Sequence, residues 1–382
     1  MINRPKLIQQ VASGLAESPV TALLGARQTG KTTLARMIAD QSGKEVHWFD
    51  LESMQGRRAL EKTPELTLSD LKGLVVIDEV QRMPELFTLL RPLADRPAAP
   101  ARFLLLGSAA PELVRGASES LAGRIQFVQV PGLSLDETGG DQQHILWFRG
   151  GFPRSFLAAS DEAARRWLDG FIHTFLERDI PQLGIQVPAP TLRRFWNTVA
   201  HYHGQVLNAS ELARTMDITP HTARHYLDIL CGAFMLRQLQ PWSENLKKRQ
   251  VKSPKIYLRD SGLLHALLEL DSLSELRTHP RYGASWEGFA LEQVLARFGE
   301  RNAFFWATQR GAELDLMLVR SGRRWGFEFK CSDAPDMTRS MHIAMEDLQL
   351  QKLFVIYPGA QRYSLSEKVE AVPLRELSTL NL

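Results

Sequence analysis

The run Gly25-Ala26-Arg27-Gln28-Thr29-Gly30-Lys31-Thr32 constrains this chain more than any other stretch. It fits G-x-x-x-x-G-K-[ST] without a mismatch. The preceding Val20-Thr21-Ala22-Leu23-Leu24 is a short apolar run rich in strand formers. The following residues place Leu34, Met37 and Ile38 on one helical face. Strand, glycine loop and helix form the context in which backbone N–H groups curl around phosphates. The helix N-terminus adds its positive dipole end. The segment from Gly25, Ala26, Arg27, Gln28, Thr29 and Gly30 to Thr33 is therefore the expected phosphate cradle. Lys31 is expected to reach the β- and γ-phosphates, and the Thr32 hydroxyl to ligate Mg²⁺. The alternative is a glycine-rich turn without a ligand, which the flanking elements disfavour.

Leu74-Val75-Val76-Ile77 is the continuous apolar run of a buried parallel strand, and it ends in Asp78-Glu79. Ligands gather at the C-terminal ends of such strands. Asp78 is placed to hold Mg²⁺ through water, and Glu79 to polarise an attacking water. A third run, Phe103–Leu106, ends in Gly107-Ser108. Ser108 either senses the γ-phosphate or caps a loop.

The loop, Ile77-Asp78-Glu79-Val80-Gln81, Leu106-Gly107-Ser108, Leu121-Ala122-Gly123-Arg124 and Gly150-Gly151-Phe152-Pro153-Arg154 resemble one family. It is that of the AAA-type ATPases of archaea and bacteria whose C-terminal domain is catalogued without a function. The resemblance runs nearly the full length. It implies ATP as the ligand and a homo-oligomeric ring, a hexamer, in which Arg124 reaches a neighbour's nucleotide. The other reading of Arg124 is a surface ion pair.

Length and composition agree with a multidomain soluble protein. The 382 residues suggest two or three domains, with 44% apolar and 23% charged residues. No run approaches the ~18 apolar residues of a membrane span. The first ten residues carry no apolar core of a secretory signal. Cys231 and Cys331 cannot make a disulfide framework or a four-thiolate zinc site, and a reducing cytoplasm is the simplest setting. The net charge of +3 is too balanced to indicate nucleic acid by itself.

The distribution of charge is more informative. Pro181, Pro188 and Pro190 mark a boundary after an amphipathic helix at 161–182. Asn208–Met216 reads as a short helix and Asp217-Ile218-Thr219 as a tight turn. Thr219 and Pro220 then start a second helix, His221 to Cys231. This is a helix-turn-helix order, with His221, Thr222, Arg224 and His225 placed for base edges or phosphates. Strands at 235–240 and 255–260 flank Lys247, Lys248, Arg249, Lys252 and Lys255, five cations in nine residues without an acid. Such a basic wing suits a DNA backbone. The competing use is a winged helix for protein contacts. His221 and His225 are spaced i, i+4 but lack a third ligand, and His201 and His203 also lack a partner set.

The last hundred residues read as helix, three strands, helix, strand: a helix around 284–295, strands at 303–306, 312–319 and 325–330, a helix near 337–349 and a strand at 352–357. This αβββαβ order, with Asp315, Glu328-Phe329-Lys330 and Glu287, resembles the restriction-endonuclease-like fold. Gly311-Ala312-Glu313-Leu314-Asp315 resembles archaeal Holliday-junction resolvases. If Ser321-Gly322 is a two-residue turn, Asp315 falls opposite Glu328 and Glu313 opposite Lys330. All four then share one face, with Leu314, Leu316, Phe327 and Phe329 on the other. Opposed residues have Cβ atoms roughly 4.5–5.5 Å apart. Two carboxylates that close repel unless a proton or divalent cation joins them. Asp315 and Glu328 are thus candidate ligands for Mg²⁺ or Mn²⁺, with Lys330 assisting phosphodiester cleavage. The alternative is a degenerate fold used for binding.

The expected architecture is α/β: a P-loop parallel-sheet core at 1–135, a helical extension or lid at 136–190, a winged helix at 191–275 and a nuclease-like domain at 280–382. The expected function is ATP-driven movement or remodelling of duplex or branched DNA, with or without metal-dependent cleavage. The competing expectation is a nucleotide-gated switch that binds DNA or a protein without cutting.

Overall fold

A computed structural model describes residues 2–97, 101–108, 117, 119–182, 186–243 and 251–382. They group into two compact units, Met1–Pro131 with Gly232–Phe234, and Gly132–Cys231 with Met235–Leu382.

In the first unit the apolar runs read from sequence become strands. They are β1 (Val20–Gly25), β2 (Val46–Asp50), β3 (Gly73–Asp78), β4 (Ala101–Ser108) and β5 (Ile125–Gln129). They form one sheet of order β2-β3-β4-β1-β5, and every pairing in it is parallel. Strand β1, between β4 and β5, is buried along its length, as its lack of polar alternation requires. Helices α1 (Pro5–Glu17) and α2 (Lys31–Gln41) lay apolar stripes on this sheet. Leu7 and Val11 of α1, and Leu34, Ala35 and Ile38 of α2, share a core with Leu23, Leu104, Leu106 and Val128. Asp78 therefore ends β3 at the same sheet edge from which β1 enters the glycine loop.

In the second unit, helix α3 (Asp161–Thr174) continues into a wider-wound turn at Phe175–Asp179 and a last turn at Ile180–Gln182 that contains Pro181. Helix α4 (Ala189–His201) precedes a pair of short helices, α5 (Ala209–Met216) and α6 (Pro220–Gly232). The Asn208 side chain accepts from the Glu211 N–H at 3.2 Å and caps α5. Asp217, in the left-handed region at φ 55°, turns the chain. Thr219 Oγ1 accepts from the Thr222 N–H at 3.1 Å and caps α6. Strands β6 (Gln205–Val206), β7 (Leu236–Leu239) and β8 (Lys255–Leu258) make an antiparallel sheet of order β6-β8-β7.

Helix α7 (Tyr282–Phe298) leads into β9 (Ala303–Ala307), β10 (Glu313–Arg320), β11 (Arg323–Phe329), α8 (Arg339–Asp347) and β12 (Lys352–Tyr357). The order is the αβββαβ read from sequence. Strands β13 (Tyr363–Ser366) and β14 (Val369–Pro373) extend it to a six-stranded sheet, β13-β14-β12-β11-β10-β9. The β10–β11 hairpin turns at Ser321-Gly322, both with positive φ, and its register runs from Arg320↔Arg323 to Leu316↔Phe327. That is the expected register, and the paired residues end one step short of Asp315 and Glu328. One detail differs from strict alternation. The pairing with β9 shifts between Leu314 and Met317, and both residues enter one cluster with Met341, Ala344 and Val355. Leu314 thus leaves the face expected for it, because the irregularity resets the alternation. Among the described residues no helix is long and apolar enough to cross a membrane.

Candidate functional site

The glycine loop is shaped by backbone geometry that few residue types tolerate. Gln28 and Gly30 have φ of 63° and 91°. A Cβ at Gly25 would stand 2.3 Å from the Val130 carbonyl oxygen, so only glycine lets these segments meet. Among the described residues no side chain caps α2, whose N-terminal N–H groups are the kind that bind anions. Thr29 Oγ1 donates to the Ala26 carbonyl at 3.0 Å. Arg4, which sequence reading passed over, donates to the carbonyls of Thr29 at 3.2 Å and Pro131 at 3.0 Å, bracing the loop from outside.

Lys31 is buried, and its ammonium donates to the carbonyls of Gly25 at 3.0 Å and Ala26 at 2.7 Å. Burial lowers its pKa to about 8, against the pull of Glu79 and Asp78. The Thr32 hydroxyl donates to Asp78 Oδ2 at 2.8 Å, and Asp78 Oδ1 accepts from the Glu79 N–H at 2.9 Å. Burial raises the pKa of Asp78, with the Thr32 hydrogen bond opposing. A hydroxyl and a carboxylate in contact beside a buried lysine suit a Mg²⁺–triphosphate, whose ion takes oxygen ligands and keeps several waters. Glu79 sits in the left-handed region at φ 55°, an uncommon conformation for a non-glycine residue and one that clusters at functional sites. Its carboxylate is hydrogen-bonded by Gln81 Nε2 and lies 4.0 Å from Arg27. Arg124 is at the surface in a two-pronged ion pair with Asp95 at 2.6 and 2.8 Å. Thr33 is exposed. The side chain of Ser108 lies outside the described residues.

A second concentration of charge is built by β8, α7, β10 and β11. Asp315 and Glu328 are buried, as is Lys255. Lys255 Nζ lies 3.0 Å from Glu287 Oε1 and 3.4 Å from Asp315 Oδ1, and it also pairs with Glu313. The Tyr257 hydroxyl donates to Glu287 Oε1 at 2.5 Å. Asp315 Oδ2 accepts from the Phe329 N–H at 3.0 Å. Lys330 Nζ donates to Glu328 Oε1 at 2.6 Å, while Glu328 Oε2 is buried without a hydrogen-bond partner among the described residues. Burial, and then the charge of Asp315, push Glu287 up to about 7 and Glu328 up to about 8. Burial works against the Lys255 ammonium, but Tyr257, Glu287, Asp315 and Glu313 outweigh it and raise its pKa well above the usual value. Glu287, Asp315, Glu328 and Lys330 are thus brought together as expected from sequence. Among the described residues, however, no group of three His, Cys, Asp or Glu side chains converges on a metal position.

Lys255 corrects the reading of the basic run. It opens β8 with its side chain buried among carboxylates, so it is not a solvent-facing cation of a wing. Lys252 is exposed, and Lys247, Lys248 and Arg249 lie outside the described residues. On α6, His221, Arg224 and His225 are exposed and Thr222 is half-buried, while Ala223, Leu227 and Leu230 face the core. His203, considered and set aside as a ligand, is a buried core residue whose Nδ1 accepts from the Leu258 N–H at 2.9 Å.

Comparison with known proteins divides the chain in three. Residues 17–139 match the model of an AAA domain, residues 140–274 a domain of unknown function (DUF8612), and residues 282–377 another (DUF4143). An uncharacterized protein of Mycobacterium tuberculosis strain H37Rv is 49% identical over 379 residues, 99% of this chain and 85% of the relative. An uncharacterized protein of Mycobacterium bovis matches with the same values. Among solved structures, the Walker-type ATPase of Pyrococcus abyssi shares the fold at a TM-score of 0.52 and 16% identity, over 70% of this chain and 96% of that one. The chain therefore belongs to the family of these two mycobacterial proteins, with an AAA-type P-loop ATPase domain followed by the DUF8612 and DUF4143 regions.

Proposed function

We propose that this protein hydrolyses ATP in its AAA domain to move or remodel duplex or branched DNA, which it binds through α5, α6 and the basic segment after β7. The observation that carries the ATPase part is the Thr32–Asp78 hydrogen bond beside the buried Lys31, an arrangement for Mg²⁺ and a triphosphate. Asp78 and Thr32 would hold the ion, Lys31 the β- and γ-phosphates, and Glu79 the attacking water. The DNA part is supported by the capped α5-turn-α6 pair, which displays His221, Arg224 and His225 on an exposed face. With the β7–β8 pair that follows, this reads as a winged helix. A homo-oligomeric ring, with Arg124 released from Asp95 to reach a neighbour's nucleotide, belongs to the same reading.

The αβββαβ order with Asp315, Glu328 and Lys330 supports a nuclease-like C-terminal domain. An ammonium already stands among its carboxylates, so the reading without cleavage is preferred to Mg²⁺- or Mn²⁺-dependent cutting. A second reading is a nucleotide-gated switch with slow turnover. The engagement of Glu79 by Gln81 and its proximity to Arg27 favour it, since that carboxylate must be free to polarise water. ATP turnover measured against duplex, single-stranded and four-way-junction DNA decides between them. Stimulation by one DNA form supports the motor, and an unchanged slow rate with retained DNA binding supports the switch. Neither stimulation nor binding overturns the DNA assignment.

A further inference from the structure

We propose that Lys255 is a built-in cation at the C-terminal carboxylate centre and closes that centre to divalent metal ions while β8 is in place. The inference deepens the nuclease-like reading of the C-terminal domain, and it rests on the contacts of one side chain. Lys255 is 3% exposed, and its ammonium meets Glu287, Glu313 and Asp315, which come from α7 and β10. A side chain from outside the αβββαβ unit thus supplies positive charge where two strands and a helix bring carboxylates together. The Asp315 and Glu287 oxygens facing Lys255 are the ones a divalent ion would need. An ammonium at hydrogen-bond distance excludes the ion by volume and by charge.

Two further observations give the arrangement a purpose beyond packing. Glu328, 5% exposed, leaves Oε2 buried and without a hydrogen-bond partner among the described residues, although Lys330 satisfies Oε1. Leaving a buried acceptor unsatisfied costs free energy, so this atom is a ready ligand for a cation admitted beside Asp315. The backbone around Lys255 is also anchored to the same domain. The Trp242 N–H donates to the Phe305 carbonyl at 2.6 Å, and the Val251 N–H to the Ala307 carbonyl at 3.1 Å. Val251, four residues before Lys255, is thus tied to β9.

The test is calorimetric titration of the full chain with MnCl₂, without nucleotide or DNA, in the wild type, Asp315→Asn, Lys255→Met and Lys255→Met/Asp315→Asn. The wild type should show no Mn²⁺ binding that Asp315→Asn removes. Lys255→Met should gain one site, tighter by roughly a hundredfold, the scale set by relieving charge repulsion at a few ångströms. The double variant should lose that site again. Should Lys255→Met fail to fold for want of a partner to its buried carboxylates, Lys255→Met/Glu313→Gln removes one charge of each sign, keeps Glu287 and Asp315, and should gain the site instead. Lys255→Arg, which keeps the cation, should stay closed. An Asp315-dependent Mn²⁺ site in the wild type as tight as in Lys255→Met overturns the proposal. So does a folded Lys255→Met, or its charge-balanced companion, that gains no site. The titration involves neither ATP nor DNA, so its failure leaves the DNA-dependent ATPase reading standing, and failure of that reading leaves this one standing.

Discussion

The Thr32 hydroxyl donates a 2.8 Å hydrogen bond to Asp78 Oδ2, tying the first turn of α2 to the end of β3 across 46 positions of sequence. Both groups are oxygen ligands suited to Mg²⁺, and the bond holds them at one point of the sheet edge before an ion arrives. Such preorganisation lets binding energy go to the phosphates rather than to ordering the protein. Asp78 is held on its other oxygen by the Glu79 N–H, so the ligand and the candidate water-activating residue share one rigid turn.

This geometry separates binding from chemistry. Lys31→Ala removes the ammonium that would contact the β- and γ-phosphates and should abolish ATP binding at millimolar nucleotide. Glu79→Gln should bind ATP with affinity close to wild type and lose roughly 10²–10⁴-fold in turnover, the usual worth of a general base. Fluorescent-nucleotide titration and phosphate-release assays check both. Wild-type turnover in either variant would remove the residue from the site.

On α6 the exposed Arg224 and the flanking His221 and His225 lie near the helix N-terminus, where a groove-inserted helix meets DNA. Arg224→Ala should weaken duplex binding by about 1–3 kcal/mol if it reads a base edge. Lys247, Lys248 and Arg249 changed together to Ala should instead weaken all sequences alike. Their loss should shrink the slope of log affinity against log salt by about 0.9 per phosphate contact. Basal ATP turnover should stay unchanged in both variants. Anisotropy titrations at several salt concentrations distinguish the two effects, and an unchanged affinity and slope would assign this face to a protein partner.

Local chemistry made much of this fold legible in the sequence. The glycine loop, the apolar strands and the capped α5-turn-α6 pair are each specified within about ten residues, as is the β10–β11 register set by its two-residue turn. What escaped depends on groups far apart in sequence. Arg4 braces Thr29 and Pro131, and nothing near Arg4 marks it for that task. Lys255 sat in a run of cations that composition reads as one solvated face. Only the partners, Glu287 and Asp315, reveal that the last of them turns inward. Its neighbour Tyr257, two residues on and so on the same face of β8, was the available signal.

The turn that sets the carboxylate register carries a small strain that a substitution can relieve. Ser321 has φ 48° and Gly322 φ 75°, the signature of a turn that favours Asn-Gly. Ser321→Asn should stabilise the domain by about 0.5–1 kcal/mol, since asparagine tolerates the left-handed region better than serine. Gly322→Ala should destabilise it by about 1 kcal/mol through backbone strain alone, because a Cβ there meets nothing within 4 Å. Urea midpoints of the two variants give the sign. Opposite signs would mean that another turn closes this hairpin.

Acid should unfold this protein partly through His265. The imidazole Nδ1 lies 2.9 Å from the Phe148 carbonyl and Nε2 lies 2.7 Å from Ser285 Oγ, which in turn accepts from Trp147 Nε1 at 2.9 Å. A neutral ring donating from Nδ1 and accepting at Nε2 satisfies this chain. Burial holds its pKa down at about 4, and that of His203 at about 3. A base whose folded pKa lies below its unfolded value near 6.5 binds its proton first in the unfolded state. Its contribution is present above the unfolded value and is lost as pH falls toward the folded one. At about pH 5 the loss through His265 is roughly 2 kcal/mol relative to neutral pH. Buried carboxyls act in the opposite sense, since Glu287, Glu328 and Asp260 have raised pKa values and are relieved by protonation. The measurement must therefore be a difference. His265→Asn, less stable than wild type near pH 7, should close the gap by about 2 kcal/mol when urea unfolding is repeated near pH 5. A gap that stays constant between the two pH values would show that His265 is not held neutral by its burial.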